Sequence, residues 1–167
     1  FNPGRKDPHI LNRFKAGEPG RLVVFFPHRL CDEKGFRMTL AAYPLCCEKL
    51  KLEPAFVYAG IGPDVELARE ADKKYPHVHY LGYINDKIEM AKLHASCTIG
   101  LALSGGETFG LSILEAMASG QMLIAANSGA AREHVECSGG GVIIDHQSVS
   151  QLVDALADIE NNVNSVA

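Results

Sequence analysis

The run Leu22-Val23-Val24-Phe25-Phe26 carries no polar side chain at any position. A strand presents alternate side chains to opposite faces, so this one must be buried on both. Burial on both faces needs helices above and below the sheet, which is the arrangement of parallel α/β folds. The same demand returns along the chain, because residues 55–59, 78–81, 98–103, 122–126 and 142–144 are further short, mostly apolar runs.

Helical patterns fill the gaps between these runs. Residues 36–50 space Phe36, Leu40, Tyr43 and Cys47 along one face, with Pro44 expected to bend or divide the helix. Residues 64–75 are charged and helical, and Asn85 or Asp86 can cap a helix reaching His94. A short helix follows Asn127-Ser128-Gly129 and runs through Val135, and Ser148 with Gln151 three residues on opens the last helix as a capping box. Strands and helices thus alternate from residue 22 to residue 160 without repeats or an internal linker. The fold class is α/β, a doubly wound, Rossmann-like parallel sheet of about six strands. Residues 1–21, with Pro3, Pro8 and Pro19 among scattered charges, read as a linker with a helical turn around residues 10–14, and residues 22–167 as the domain.

Composition narrows the function. With 47% hydrophobic and 22% charged residues, the 167-residue chain can bury the core of one ordinary domain. A net charge of -4 leaves no basic excess with which to neutralise a nucleic-acid backbone, so a bound phosphate must be held locally. The five cysteines Cys31, Cys46, Cys47, Cys97 and Cys137 are odd in number and form no C-x-x-C pair, which favours reduced thiols, small buried side chains and a cytoplasmic setting. No signal peptide is expected at Phe1, and no apolar run is long enough to span a bilayer. The histidines show no metal-ligand spacing, and His28 reads as a loop residue rather than a general base.

In doubly wound sheets, ligands bind beyond the C-terminal strand ends. Those ends carry Arg29 with Lys34, then Tyr83 with Ile84, then residues 107–112. The last group belongs to a glycine-loosened loop, Gly105-Gly106-Glu107-Thr108-Phe109-Gly110, that runs into an apolar helix starting near Leu111. The first amides of that helix have no intrahelical partners and attract anions. Glu115 lies one turn further, on the face of Leu111 and amid Ile113, Leu114, Ala116 and Met117, which look like core. A carboxylate there needs a hydrogen-bonding partner. The pattern suggests a pocket with a phosphate on the helix N-terminus, a hydroxylated group at Glu115 and Glu107 at the mouth.

Glu107 and Glu115 are separated by seven residues within Glu-Thr-Phe-Gly-Leu-Ser-Ile-Leu-Glu-Ala-Met-Ala-Ser-Gly. This stretch resembles the signature of retaining, nucleotide-sugar-dependent glycosyltransferases of the GT-B fold, in particular the large family 4 (glycosyl transferases group 1). Four further segments match in order: Arg29-Leu30 before Lys34-Gly35, Tyr58-Ala59-Gly60-Ile61-Gly62-Pro63, Leu81-Gly82-Tyr83, and Ser128-Gly129 before Arg132-Glu133. The resemblance covers residues 22–160 and only the C-terminal, donor-binding half of that fold. The N-terminal, acceptor-binding domain is missing from the chain.

The resemblance implies a donor-binding domain that serves transfer of a hexose from a nucleoside diphosphate sugar to a glycan, lipid or polysaccharide acceptor. It implies that Arg29 and Lys34 hold the diphosphate and stabilise the leaving group, with help from amides near Leu111 and Ser112. Glu115 would bind the ribose hydroxyls, Glu107 with the amides of Thr108, Phe109 and Gly110 the transferred sugar, and the backbone at Tyr83 and Ile84 the nucleobase. Two fixed cations and the lack of an Asp-x-Asp sequence imply no cofactor and no required metal. Thr108 stands where glycine is common in the family, Gln121-Met122 replaces an apolar residue plus proline, and Gly105-Gly106 replaces a proline-containing lead. The isolated half is expected to be inactive, any membrane association to run through the missing domain, and a non-catalytic nucleotide-sugar sensor or scaffold is the alternative.

Overall fold

In a computed structural model, which describes residues 1–14, 18–106 and 109–165, the first apolar run becomes β1 (Val23–Phe26), an interior strand of a six-stranded sheet. The others are β2 (Ala55–Tyr58), β3 (Val78–Tyr80), β4 (Ile99–Ala102), β5 (Met122–Ala126) and β6 (Gly141–Ile144), in the order β3-β2-β1-β4-β5-β6. Every neighbouring pair is parallel. The helices are α1 (Pro8–Arg13), α2 (Phe36–Lys49), α3 (Val65–Lys74), α4 (Lys87–Ser96), α5 (Leu111–Ala118), α6 (Gly129–Ser138) and α7 (Val149–Ser165). The chain walks outward from β1 to β3, returns to lay β4 on the other side of β1, and walks outward again to β6. The order therefore reverses between β1 and β4, and their exit loops part at a crevice.

Alternation along β1 explains the layers. Val24 and Phe26 enter a cluster with Phe36 and Tyr43 of α2, Phe56 and Tyr58 of β2, and Leu152 and Leu156 of α7. Val23 and Phe25 face the other way, into Ala55, Val57, Leu93 and Cys97. A third cluster packs Ile113 and Ala116 of α5 and Ala131 and Val135 of α6 against Leu123 and Ala125 of β5. Each face is thus covered, as the unbroken apolar runs require. Residues 1–14, read as linker in the sequence, include a 3-10 turn at Pro3–Arg5 and α1. Phe14 is buried in the second cluster, and the Asp7 amide donates to Ser96 Oγ at 2.9 Å.

Three local expectations are corrected. Pro44 does not divide α2, which is continuous from Phe36 to Lys49 because its buried face, including Tyr43 and Cys46, is clamped on the sheet. The capping box at α7 is only half formed. Ser148 Oγ accepts from the Gln151 amide at 3.4 Å, but the Ser148 amide is already taken by the Asp145 carbonyl, so the Gln151 side chain turns to the Asp145 amide at 2.7 Å instead. All five cysteines are free thiols, and Cys46 and Cys97 are buried, but Cys137 is exposed on the last turn of α6. Among the described residues, no helix is long and apolar enough to cross a membrane.

One buried polar pair ties α4 to the sheet. His94, 1% exposed, donates from Nδ1 to Gln121 Oε1 at 2.7 Å, and Gln121 Nε2 donates to the Ile99 carbonyl at 3.3 Å. The Phe25 ring stands edge-on to the imidazole, and Nε2 has no partner. Burial pushes the His94 pKa below its ordinary value of 6.5. A depressed folded-state pKa means that the unfolded chain takes the proton first, so stability is lost as pH falls below 6.5. In urea unfolding between about pH 7.5 and 5.5, wild type is expected to lose stability more steeply than His94→Gln. Equal slopes would remove His94 as the cause.

Candidate functional site

The exits of β1, β2 and β3 are laced into one wall. A Cβ at Gly60, whose φ is 146°, would lie 2.1 Å from the His28 carbonyl oxygen, and one at Gly62 would lie 2.2 Å from that of Leu30. Only glycine lets the two loops touch so closely. The Leu30 amide donates to Ile61 O and the Asp64 amide to Leu30 O, both at 3.1 Å, while the Gly60 amide donates to Gly82 O at 2.8 Å. Asp64 completes the rim. It sits at the α3 N-cap position, but its buried carboxylate takes both prongs of Arg37 in α2, at 2.7 and 3.0 Å, which hold its pKa below the usual range. These loops enclose a cavity of about 410 Å3 whose lining includes Arg29, Gly60, Gly62, Tyr83, Ile84 and Met90.

A second cavity of about 320 Å3 shares Tyr83, Ile84 and Met90 with the first, and its lining also includes Phe1, Lys87 and Glu115. Of the residues singled out in the sequence, Arg29, Tyr83 and Ile84 thus line the first cavity and Tyr83, Ile84 and Glu115 the second. Glu115 is partly buried, which raises its pKa above the usual carboxylate value, with Lys87 pulling it back. Lys34 ends a 3-10 turn, Asp32–Lys34, just before α2. A Cβ at the next residue, Gly35, would meet Leu103 Cβ at 2.6 Å, so this turn abuts the exit of β4. His28 holds the β1 exit to β4 directly, donating from Nε2 to the Leu101 carbonyl at 2.6 Å. Its imidazole is an anchor across the crevice, in keeping with a loop residue.

Helix α5 departs from the expected core helix. Ile113 and Ala116 are buried, but Leu111 is 67% exposed and Leu114 also faces outward. Gly110 at the N-cap takes φ 76° and has no side chain to cap the helix, so Leu111 and Ser112 stand on a first turn whose amides have no side-chain acceptor among the described residues. Phe109 is exposed, and its carbonyl accepts from His134 Nε2 of α6 at 2.9 Å. Glu107 and Thr108 lie outside the described residues, between Gly106 and Phe109. Met90 and Lys87 were missed in the sequence, where nothing separates them from the other residues of the helix. The edge as described offers one arginine and a carboxylate in joined hollows, beside uncapped helix amides. That set suits a ligand with an anionic centre and a diol.

Comparison with known proteins identifies the family and the fold. The family model for glycosyl transferases group 1 matches residues 10–166. A GDP-mannose-dependent alpha-(1-6)-phosphatidylinositol monomannoside mannosyltransferase of Mycobacterium tuberculosis is 30% identical over 169 residues, covering 93% of this chain and 43% of its own length. A phosphatidyl-myo-inositol mannosyltransferase of Mycolicibacterium smegmatis is 26% identical, over 84% of this chain and 36% of its own. The chain therefore spans less than half the length of either relative. Among solved structures, the C-terminal domain of a glycosyl transferase group 1 family protein from Francisella tularensis superposes with a TM-score of 0.75 at 23% identity, covering 96% of this chain and 88% of that one. Anabaena HepE in complex with UDP-glucose gives a TM-score of 0.73 at 24% identity, over 97% of this chain and 45% of that one.

The glycine contacts are directly testable. Gly62→Ala is expected to lower stability by about 1–3 kcal/mol in urea unfolding, because its Cβ must displace backbone. Gly129→Ala, whose Cβ meets nothing within 4 Å, is expected to stay within about 0.5 kcal/mol of wild type.

Proposed function

We propose that this chain, which belongs to the glycosyl transferases group 1 family, is the donor-binding half of a hexosyltransferase acting from a nucleoside diphosphate sugar. The observation that carries the reading is the pair of cavities that share Tyr83, Ile84 and Met90, one lined by Arg29 and the other by Glu115. In this reading the base lies against the backbone at Tyr83 and Ile84, and the ribose diol donates to Glu115. Arg29, Lys34 and the first amides of α5 take the diphosphate. Their positive charge stabilises the leaving group as the glycosidic bond breaks, the part a metal ion plays elsewhere. Glu107 and the amides of residues 108–110 hold the transferred hexose. A second domain supplies the acceptor, a glycan, lipid or polysaccharide, which attacks on the face the diphosphate leaves and so retains the anomeric configuration.

Mannose from GDP-mannose is the first donor to test, since the 30% identical relative carries that donor in its name. Calorimetry with GDP, UDP and their hexose conjugates should give saturable binding for one base. Arg29→Met and Glu115→Gln are each expected to weaken it about tenfold, or roughly 1.4 kcal/mol. Unchanged affinity in both variants would refute the reading. In the full-length protein, Glu107→Gln should abolish most turnover, whereas a sensor has no turnover to lose.

The Glu115 shift adds a pH signature. Raised by burial, its carboxyl protonates above the ordinary 4.5, so the ionised form that accepts from the diol is lost early on acidification. Nucleotide affinity is expected to fall with pH above 4.5 in wild type and to be flatter in Glu115→Gln. For the free chain the sign is opposite, since a raised carboxyl pKa makes the ionised form the less stable one and folding stability declines as pH rises through that range.

A further inference from the structure

We propose that His28 is a positioning residue: its imidazole, bonded across the crevice to the Leu101 carbonyl at 2.6 Å, sets the span between Arg29 on the β1 exit and the first amides of α5 beyond β4. The inference rests on the donor-binding reading, in which those two sides take one diphosphate between them, and adds the group that fixes how far apart they stand. The bond falls where the strand ladder stops. Phe25 opposite Gly100 is the last paired position of β1 with β4, and Pro27 has no amide hydrogen with which to carry the ladder on. The next side chain supplies a donor instead. A carbonyl can only accept, so the ring carries its proton on Nε2. The Phe26 ring stands edge-on to the imidazole with centroids 5.0 Å apart, and Phe26 is itself buried against Phe36 and Tyr58, so the imidazole is held from the core side as well.

Arg29 depends on its neighbours for its place. It is exposed, and its guanidinium makes no hydrogen bond or ion pair among the described residues, so it goes where the main chain carries it. That main chain is pinned on either side of Arg29. The His28 carbonyl oxygen lies 2.1 Å from where a Cβ of Gly60 would be, the Leu30 amide donates to Ile61 O at 3.1 Å, and the Leu30 carbonyl accepts from the Asp64 amide at 3.1 Å. All three ties run toward the β2 exit. The imidazole bond runs the other way, to β4, and β4 carries α5, since a Cβ at Gly100 would lie only 2.9 Å from Ala116 Cβ. Without that bond the loop keeps its hold on β2 and loses its distance from β4, and an anion site with one half on each side of the crevice has no fixed width. A site held at the width of its ligand beforehand loses less ordering entropy when the ligand arrives. Leucine at position 28 would still pack on Phe26 but donate nothing, whereas glutamine would keep a side-chain N–H donor.

Calorimetry of the chain with a nucleoside diphosphate tests the role. His28→Leu is expected to raise the Kd about fivefold or more, and His28→Gln to stay within about twofold of wild type. The loss in His28→Leu should persist in the Glu115→Gln background, where the diphosphate contacts are intact, and shrink below about twofold in Arg29→Met, where the group that His28 places is gone. Nitrogen NMR of wild type should find the neutral His28 ring protonated on Nε2. A proton on Nδ1, an unchanged Kd in His28→Leu, a loss that His28→Gln does not rescue, or one of equal size in the Arg29→Met and Glu115→Gln backgrounds overturns the proposal. If wild type binds no nucleoside diphosphate, or Arg29→Met leaves the Kd unchanged, the donor-binding reading itself has failed and takes this one with it. If Arg29→Met weakens binding and His28→Leu does not, only the role of His28 falls.

Discussion

The pairing of β1 with β4 is the constraint on which the molecule depends. Val24 lies opposite Ile99 and Phe25 opposite Gly100, although more than seventy residues separate them in the chain. At that place in β4, Gly100 lets α5 and the Gln121 side chain close onto the sheet, because a Cβ there would lie 2.9 Å from Ala116 Cβ and 3.0 Å from Gln121 Oε1. Beyond the last paired residues, the His28 imidazole continues the contact to the Leu101 carbonyl. Move β4 elsewhere in the order and the exits of β1 and β4 no longer part. The crevice goes, and with it the adjoining of the cavity lined by Arg29 to the one lined by Glu115.

Strand and helix positions were legible because each is written locally. The all-apolar run at residues 22–26 could satisfy its faces in only one kind of sheet, and β5 falls on the expected residues 122–126. Order across the sheet was not legible from apolarity alone, since any of these runs could fill an interior place. The family resemblance was consistent with the order but did not derive it. Errors arose where a local rule met a tertiary one. Leu114 read as core because apolar side chains usually are, yet α5 buries only one narrow face. Gln151 had the spacing of a capping residue but found Asp145 closer to hand.

The candidate site divides along the same line. Arg29, Tyr83, Ile84 and Glu115 could be picked out because their types and spacings stand in recognisable order. The bond from His28 to Leu101 could not, joining residues 73 apart in the chain that only the topology gathers. Glu107, which carries the most chemical weight in the resemblance, stands between described residues on either side and is supported by sequence alone. Backbone makes much of the nucleotide wall, through Gly60, Gly62 and the carbonyls they approach.

The interlocked exits carry a mechanical consequence. The loop after β2 cannot slide past the loop after β1 without its glycines striking a carbonyl, and the imidazole bond fastens the latter loop to β4. The rim of the first cavity therefore travels as a single stiff body. In the proposed two-domain enzyme, gripping and releasing the donor must come from swinging the two halves about their connection, with the flexing confined to that joint.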